Sequence, residues 1–205
     1  VDVAVSKAEY LFFTPRIRKI NADLKAEVNS KFKEAIKKVK KGSTVIYCLA
    51  TGHQGNSENI TILKHVTGFE AGKSVSYYYF PLNGLSKTPS VIGSLKKIKD
   101  KKLSALLSTS KDEKTFVDIS SAEHIHHIQT VKRFSGICSI LEVCKLVKNN
   151  PESNTTFDDF KNTYLDDMMN GLDDLRLLSS SLEGSSPLLY LINGSIKGIN
   201  GYAKR

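Results

Sequence analysis

Tryptophan is absent from these 205 residues, and the aromatic content of 8% rests on Tyr and Phe alone. Cysteine is scarce. Cys48, Cys138 and Cys144 make an odd number with no regular spacing, which excludes a disulfide framework. Each lies in an apolar run, so buried thiols are expected, and a reducing, cytoplasmic compartment is favoured. Long apolar stretches are missing as well. No run approaches the ~20 residues that span a bilayer, and nothing resembles a signal peptide. The chain begins at Val1 without Met, the pattern of a trimmed or processed product. Internal repeats and low-complexity tracts are lacking. So are the recognisable catalytic signatures: there is no Gly-x-Ser-x-Gly, no P-loop, no dinucleotide fingerprint and no His-Glu-x-x-His.

What is present begins with charge. The formal net charge is +9, which favours an acidic partner such as nucleic acid, an anionic membrane surface or an acidic protein. The charge is unevenly placed. Residues 1–148 carry 25 Lys and Arg against 13 Asp and Glu, whereas residues 149–205 carry 5 against 8. Opposite ends of such a chain attract each other, within one copy or between copies. The apolar fraction of 40% and charged fraction of 25% are ordinary for a globular protein, and this length supports a core without disulfides or a metal.

The stretch from Thr14 to Gly42 reads as one long basic helix. Thr14 suits the N-cap, Pro15 the first helical position and Gly42 the stop. Ile17, Ile20, Leu24, Val28, Phe32, Ala35 and Val39 make its apolar stripe. Before it, alternation at Val1, Val3 and Val5 and the run Tyr10 to Phe13 predict one or two short strands. After it, Thr44–Ala50, Asn59–Phe69 and Ser74–Phe80 read as three strands with short connections, so antiparallel pairing is expected. Ser90 opens a short helix through Val91, Ile92, Leu95 and Ile98. Leu103–Leu107 and Thr115–Ile119 read as further strands. The pattern then turns helical at 122–134 and 137–147, again from Thr155 or Thr156 through Leu182, and from Leu188 to about Ile199. The expected class is α+β: a long N-terminal basic helix, a small, mostly antiparallel sheet and a helical C-terminal part. The expected division is a basic α+β domain over 1–148 and a helical extension over 149–205, with a hinge at Asn149–Asn154.

Several groups are candidate sites. Arg16, Arg18, Lys19, Lys33, Lys37, Lys40 and Lys41 on the long helix, with Lys96, Lys97 and Lys99 in a second cluster, have the density to track a phosphate backbone. Lys is a point charge with little base discrimination, so such binding is sequence-tolerant. Tyr77 and Tyr79 face one side of a strand, Tyr78 and Phe80 the other, and packing of both pairs in a core is the default. The loop Thr51-Gly-His-Gln-Gly-Asn56 would cradle a phosphate if a helix followed it. The next residues read as a strand, so a hairpin connection is expected. Glu123, His124, His126 and His127 form the only histidine cluster, read as a polar or pH-responsive helix face rather than a metal site. Asp158, Asp159, Asp166, Asp167, Asp173 and Asp174 line a C-terminal helix. Cys48 carries nothing that marks it as an activated nucleophile.

The function expected from these features is a non-enzymatic, sequence-tolerant, self-assembling nucleic-acid-binding structural protein of nucleocapsid, matrix or movement type. Single-stranded nucleic acid is its partner, and copies associate through the C-terminal helices. No catalytic residue, metal or cofactor is expected. The first alternative is a peripheral membrane-binding or secreted effector-type protein engaging anionic lipid or a host protein. The second is an enzyme whose site is too sparse to see in the sequence.

Overall fold

The structure, a computed structural model, describes residues 2–15, 24–82, 91–95, 100–107, 114–131, 136, 174–182 and 186–203. Thr44–Tyr47 (β2) is its centre. The run Thr-Val-Ile-Tyr is β-branched and apolar, and all four residues are buried. A strand buried on both faces needs cover on both faces, and the neighbouring elements supply it. Tyr10–Phe13 (β1) and Ser76–Tyr79 (β3) flank β2, both parallel to it, with Tyr10 opposite Thr44 and Thr44 opposite Ser76. Val91–Ser94 (β4) runs antiparallel to β3, with Gly93 opposite Tyr79. Thr115–Asp118 (β5) lies parallel to β4. The five strands are ordered in space as they are in sequence.

Parallel neighbours need a crossover connection, usually helical. Leu24–Ile36 (α2) joins β1 to β2, and Gly55–Thr67 (α3) joins β2 to β3. Both lie on one face of the sheet. There Val28, Phe32 and Ile36 of α2 and Leu63 of α3 meet Val45, Tyr47, Tyr77 and Tyr79. The rings of Phe13, Phe32 and Tyr47 pack on one another, two pairs edge-to-face and one tilted, at 5.0–5.3 Å between centroids. The helix over 119–131 (α5) adds Ile119 and Ala122 to the same core. On the opposite face, Leu103 of Lys101–Leu107 (α4) packs with Ile46, Cys48, Phe80 and Ile92. Lys102 of α4 reaches the β1 edge, pairing with Glu9 at 2.6 Å and lying 5.3 Å above the Tyr10 ring. Asp2–Lys7 (α1), the helix over 174–180 (α6) and Pro187–Ala203 (α7) complete the described elements.

The class is therefore α/β with a mixed sheet, and three of its four strand pairings are parallel. This corrects the expected α+β arrangement with a mostly antiparallel sheet. Asn59–Phe69 is no strand: its residues through Thr67 belong to α3, which ends where Gly68 turns left-handed at φ 71° and donates its N–H to the Lys64 carbonyl. Residues 91–94 form a strand where a helix is expected, and 101–107 a helix where a strand is expected. Val3 and Val5 lie in helix α1 rather than in a strand.

The long basic helix also needs correction. Thr14 and Pro15 are not helical, residues 16–23 lie outside the described set, and the described helix covers Leu24–Ile36 only. Beyond Ile36, Val39 turns back into the core, while Gly42 adopts φ 90° and donates its N–H to the Ser74 carbonyl at 2.7 Å. The segment of 137–147 and most of 155–182 also fall outside the described residues, as do five of the six acidic-stripe residues, all but Asp174.

Candidate functional site

The carboxyl ends of β1, β2 and β3 share one edge of the sheet. A cleft opens there, beyond β2. Its floor is Tyr47 and Val28. Its walls are Lys25 and Asn29 of α2, the turn Thr51–Gly55, Glu58 and Asn59 of α3, and Leu177, Ser180 and Ser181 at the end of α6. Asn29 Nδ2 donates to Glu58 Oε1 at 2.9 Å, and Lys25 Nζ lies 2.9 Å from Glu58 Oε2. The exposed Lys25–Glu58 pair is loosely held and can exchange partners with a ligand. The phenol of Tyr47 is pushed well above its ordinary pKa, chiefly by burial, so it stays protonated and able to donate.

The turn itself is tightly fixed. Gly52 lies so close to α6 that an added Cβ would stand 2.5 Å from Ser181 Cβ and 2.8 Å from the Leu177 carbonyl oxygen. His53 N–H donates to Ser181 Oγ at 2.6 Å. Gln54, the residue that caps α3, is left-handed at φ 58° and makes no side-chain cap bond. Glu123 of α5 substitutes for the missing cap. Its Oε2 accepts from Asn56 N–H at 3.0 Å, from Asn56 Nδ2 at 2.7 Å and from Thr51 Oγ1 at 3.1 Å.

Behind this carboxylate a buried chain of hydrogen bonds continues. Asn59 Nδ2 donates to Tyr77 Oη at 3.4 Å, and Tyr77 Oη donates to Asn56 Oδ1 at 2.8 Å. Burial holds the phenols of Tyr77 and Tyr79 well above their ordinary pKa, so both remain donors. Four of the five histidines gather at the same corner. His127 Nε2 meets the Thr51 carbonyl at 2.8 Å and donates to it. His53 and His124 stack at 6.2 Å, and His126 lies 3.8 Å from Asp174 of α6. Among the described residues no group of three or more His, Cys, Asp or Glu side chains could hold a metal ion.

The residues singled out from sequence are distributed differently. Lys33, Lys37, Lys40 and Lys41 are exposed at the end of α2 and in the turn after it, whereas Arg16, Arg18, Lys19, Lys96, Lys97 and Lys99 lie outside the described residues. Tyr77, Tyr79 and Phe80 are fully buried and Tyr78 is partly so, which makes this strand core. Cys48 is buried, and burial pushes its thiol up to about 12, so it is no nucleophile at neutral pH. The Thr51–Asn56 loop does lead into a helix, which is the condition stated for a phosphate cradle. Glu123 was visible in sequence only as a neighbour of histidines. No sequence signal links it to Asn56, 67 residues earlier.

No family model matches this sequence, and no curated protein matches it. Solved structures do match in fold. A UDP-D-ManNAc dehydrogenase from Pyrococcus horikoshii aligns over 100% of this chain and 54% of its own, with TM-score 0.60 and 12% identity. A GDP-mannose dehydrogenase from Pseudomonas aeruginosa aligns over 98% and 54%, with TM-score 0.55 and 17% identity. The UDP-N-acetyl-mannosamine dehydrogenase Cap5O from Staphylococcus aureus aligns over 95% and 51%, with TM-score 0.56 and 14% identity. The shared property is the fold. It is α/β and resembles the Rossmann-like folds of dehydrogenases, and the chain spans about half the length of these three structures. This finding overturns the expected nucleocapsid, matrix or movement-type protein. The solved structures that share its fold include dehydrogenases that act on nucleotide sugars.

Proposed function

We propose that this chain contributes the fold and one wall of the ligand site of an oxidoreductase acting on a nucleotide sugar. The observation that carries the reading is the cleft at the carboxyl end of β2, in a sheet whose fold resembles that of nucleotide-sugar dehydrogenases. Asn29, Glu58 and Ser180 bring amide, carboxylate and hydroxyl groups to one opening, the mixture of donors and acceptors that fits a polyhydroxylated ligand. A nicotinamide dinucleotide, the cofactor that dehydrogenases imply, does not fit the β2–α3 turn through its pyrophosphate. The backbone donors that would hold it there are already engaged.

The test is thermal unfolding and calorimetric titration of the full chain with UDP-sugars, GDP-mannose and nicotinamide dinucleotides. A ligand at one hundred times its Kd raises stability by about 2.7 kcal/mol, which for a chain of this size raises Tm by roughly 5–11 °C. Ser180→Phe, which narrows the cleft from its exposed rim, is expected to weaken that response without lowering the Tm of the free protein. A chain that responds to none of these compounds would refute the reading.

A further inference from the structure

The amino end of a helix presents unpaired N–H groups and a partial positive charge, and is a ready site for an anion. In α3 those donors are all used. Gly55 N–H donates to the Gly52 carbonyl at 3.0 Å, and Ser57 and Glu58 N–H both donate to the Gln54 carbonyl, at 3.1 and 3.3 Å. Asn56 N–H, which has no local acceptor, donates to Glu123 Oε2. Glu123 is 3% exposed, and the three groups around its Oε2 are all donors, the pattern of an ionised carboxylate. Thr51 and Asn56 are buried with it, and Thr51 and Gly55 border the cleft. The carboxylate therefore stands where an approaching phosphate oxygen would have to stand.

The geometry points to Glu123 as an internal anion that permanently occupies the α3 anion site and closes this turn to the phosphate groups of any ligand. It is a specificity-determining residue. Its carboxylate takes the donors a phosphate needs, and its charge repels a second anion from the same spot. That much stands whatever the cleft binds. Resting on the reading of the cleft as a ligand site, one consequence follows: a ligand presents an uncharged, hydrogen-bonding part to this turn and carries its phosphates elsewhere.

The probes are inorganic phosphate, pyrophosphate and formate, compared with sodium chloride at equal ionic strength. In the wild-type full chain, the backbone amide resonances of residues 55–58 are expected to show no saturable shift with phosphate or pyrophosphate. A saturable shift at Asn56 overturns the proposal. Glu123→Ala opens a space reachable from the cleft and is expected to lower Tm by about 4–10 °C, from loss of a buried charged acceptor. Formate or phosphate is expected to restore Tm in a concentration-dependent way, where chloride does not. Should Glu123→Ala fail to fold, Glu123→Ser withdraws the carboxylate from the turn and leaves a small polar group in its place. Its amides at 55–57 are then expected to gain a response to phosphate that the wild type lacks. Either variant remaining as indifferent to these anions as the wild type overturns the proposal. Nucleotide-sugar binding is a separate readout, so failure of the functional reading leaves these outcomes intact.

Discussion

His127 shows how one buried side chain sets a pH response. It reaches from α5 to the Thr51 carbonyl, and burial holds its imidazole below the ordinary histidine pKa, opposed by that hydrogen bond and by Glu123. The unfolded chain thus takes up a proton at higher pH than the folded one. The contribution of His127 to stability is complete above the ordinary histidine value and is lost as pH falls below it, through the depressed folded value. Urea unfolding between pH 7.5 and 5 checks this against His127→Gln, which keeps a donor for Thr51 but does not titrate. The wild type is expected to lose more stability than the variant on acidification. A wild type that loses less would contradict the assignment. His53, His124 and His126 are present in both proteins, so the difference isolates His127.

At the scale of elements, the docking of α6 on the β2–α3 turn depends on one missing side chain. Gly52 accepts Ser181 and the Leu177 carbonyl where any Cβ would collide, and the collision includes backbone that cannot swing away. Gly52→Ala is expected to push α6 off the turn, break the His53–Ser181 bond and destabilise the protein by about 1–3 kcal/mol. Chemical denaturation, with hydrogen exchange at the His53 amide, reads both effects.

Legibility in the sequence also divides by element. β1, β2, β3 and β5 were visible because their residues are β-branched or aromatic and pack into the sheet. α3 was not, because two of its three buried residues, Asn56 and Asn59, are polar. They face a network of Tyr77 and Glu123 rather than a greasy core, so the helical period was hidden and Ile60 and Ile62 suggested alternation instead. β4 was concealed differently. Val91, Ile92, Leu95 and Ile98 fall at a helical spacing, but Gly93 is the point where α5 meets the sheet, and a Cβ there would lie 2.8 Å from that of Ala122. α4 buries only Leu103 and leaves Leu106 exposed, which gives it no clean helical stripe. The site was half legible. The glycine-bearing turn stood out, while the helix that follows it and the distant carboxylate that caps it did not.

For the whole molecule, the sheet sets a gradient of order. β2 is paired on both sides and covered on both faces, whereas β5 is an edge strand with three half-buried residues and one exposed. Amide exchange should be slowest in 44–47, slow in 76–79 and fastest among the strands in 115–118, because the last can open without disturbing the rest. A profile in which β5 outlasts β2 would be incompatible with this topology. The excess positive charge, by contrast, is carried on surfaces such as Lys37, Lys40 and Lys41. It describes how the molecule meets its surroundings rather than how it is built.

The spatial order of the strands has a consequence for how the chain is made. Each strand lies beside the one synthesised before it. A chain emerging from the ribosome can therefore lengthen the sheet at a free edge, one strand and one helix at a time. No finished pair has to part to admit a latecomer, and no early strand must wait, exposed, for a partner from the far end. Assembly in the order of translation keeps the sequence separation between partners short, which favours rapid folding and limits the time that bare strand edges can seed aggregation.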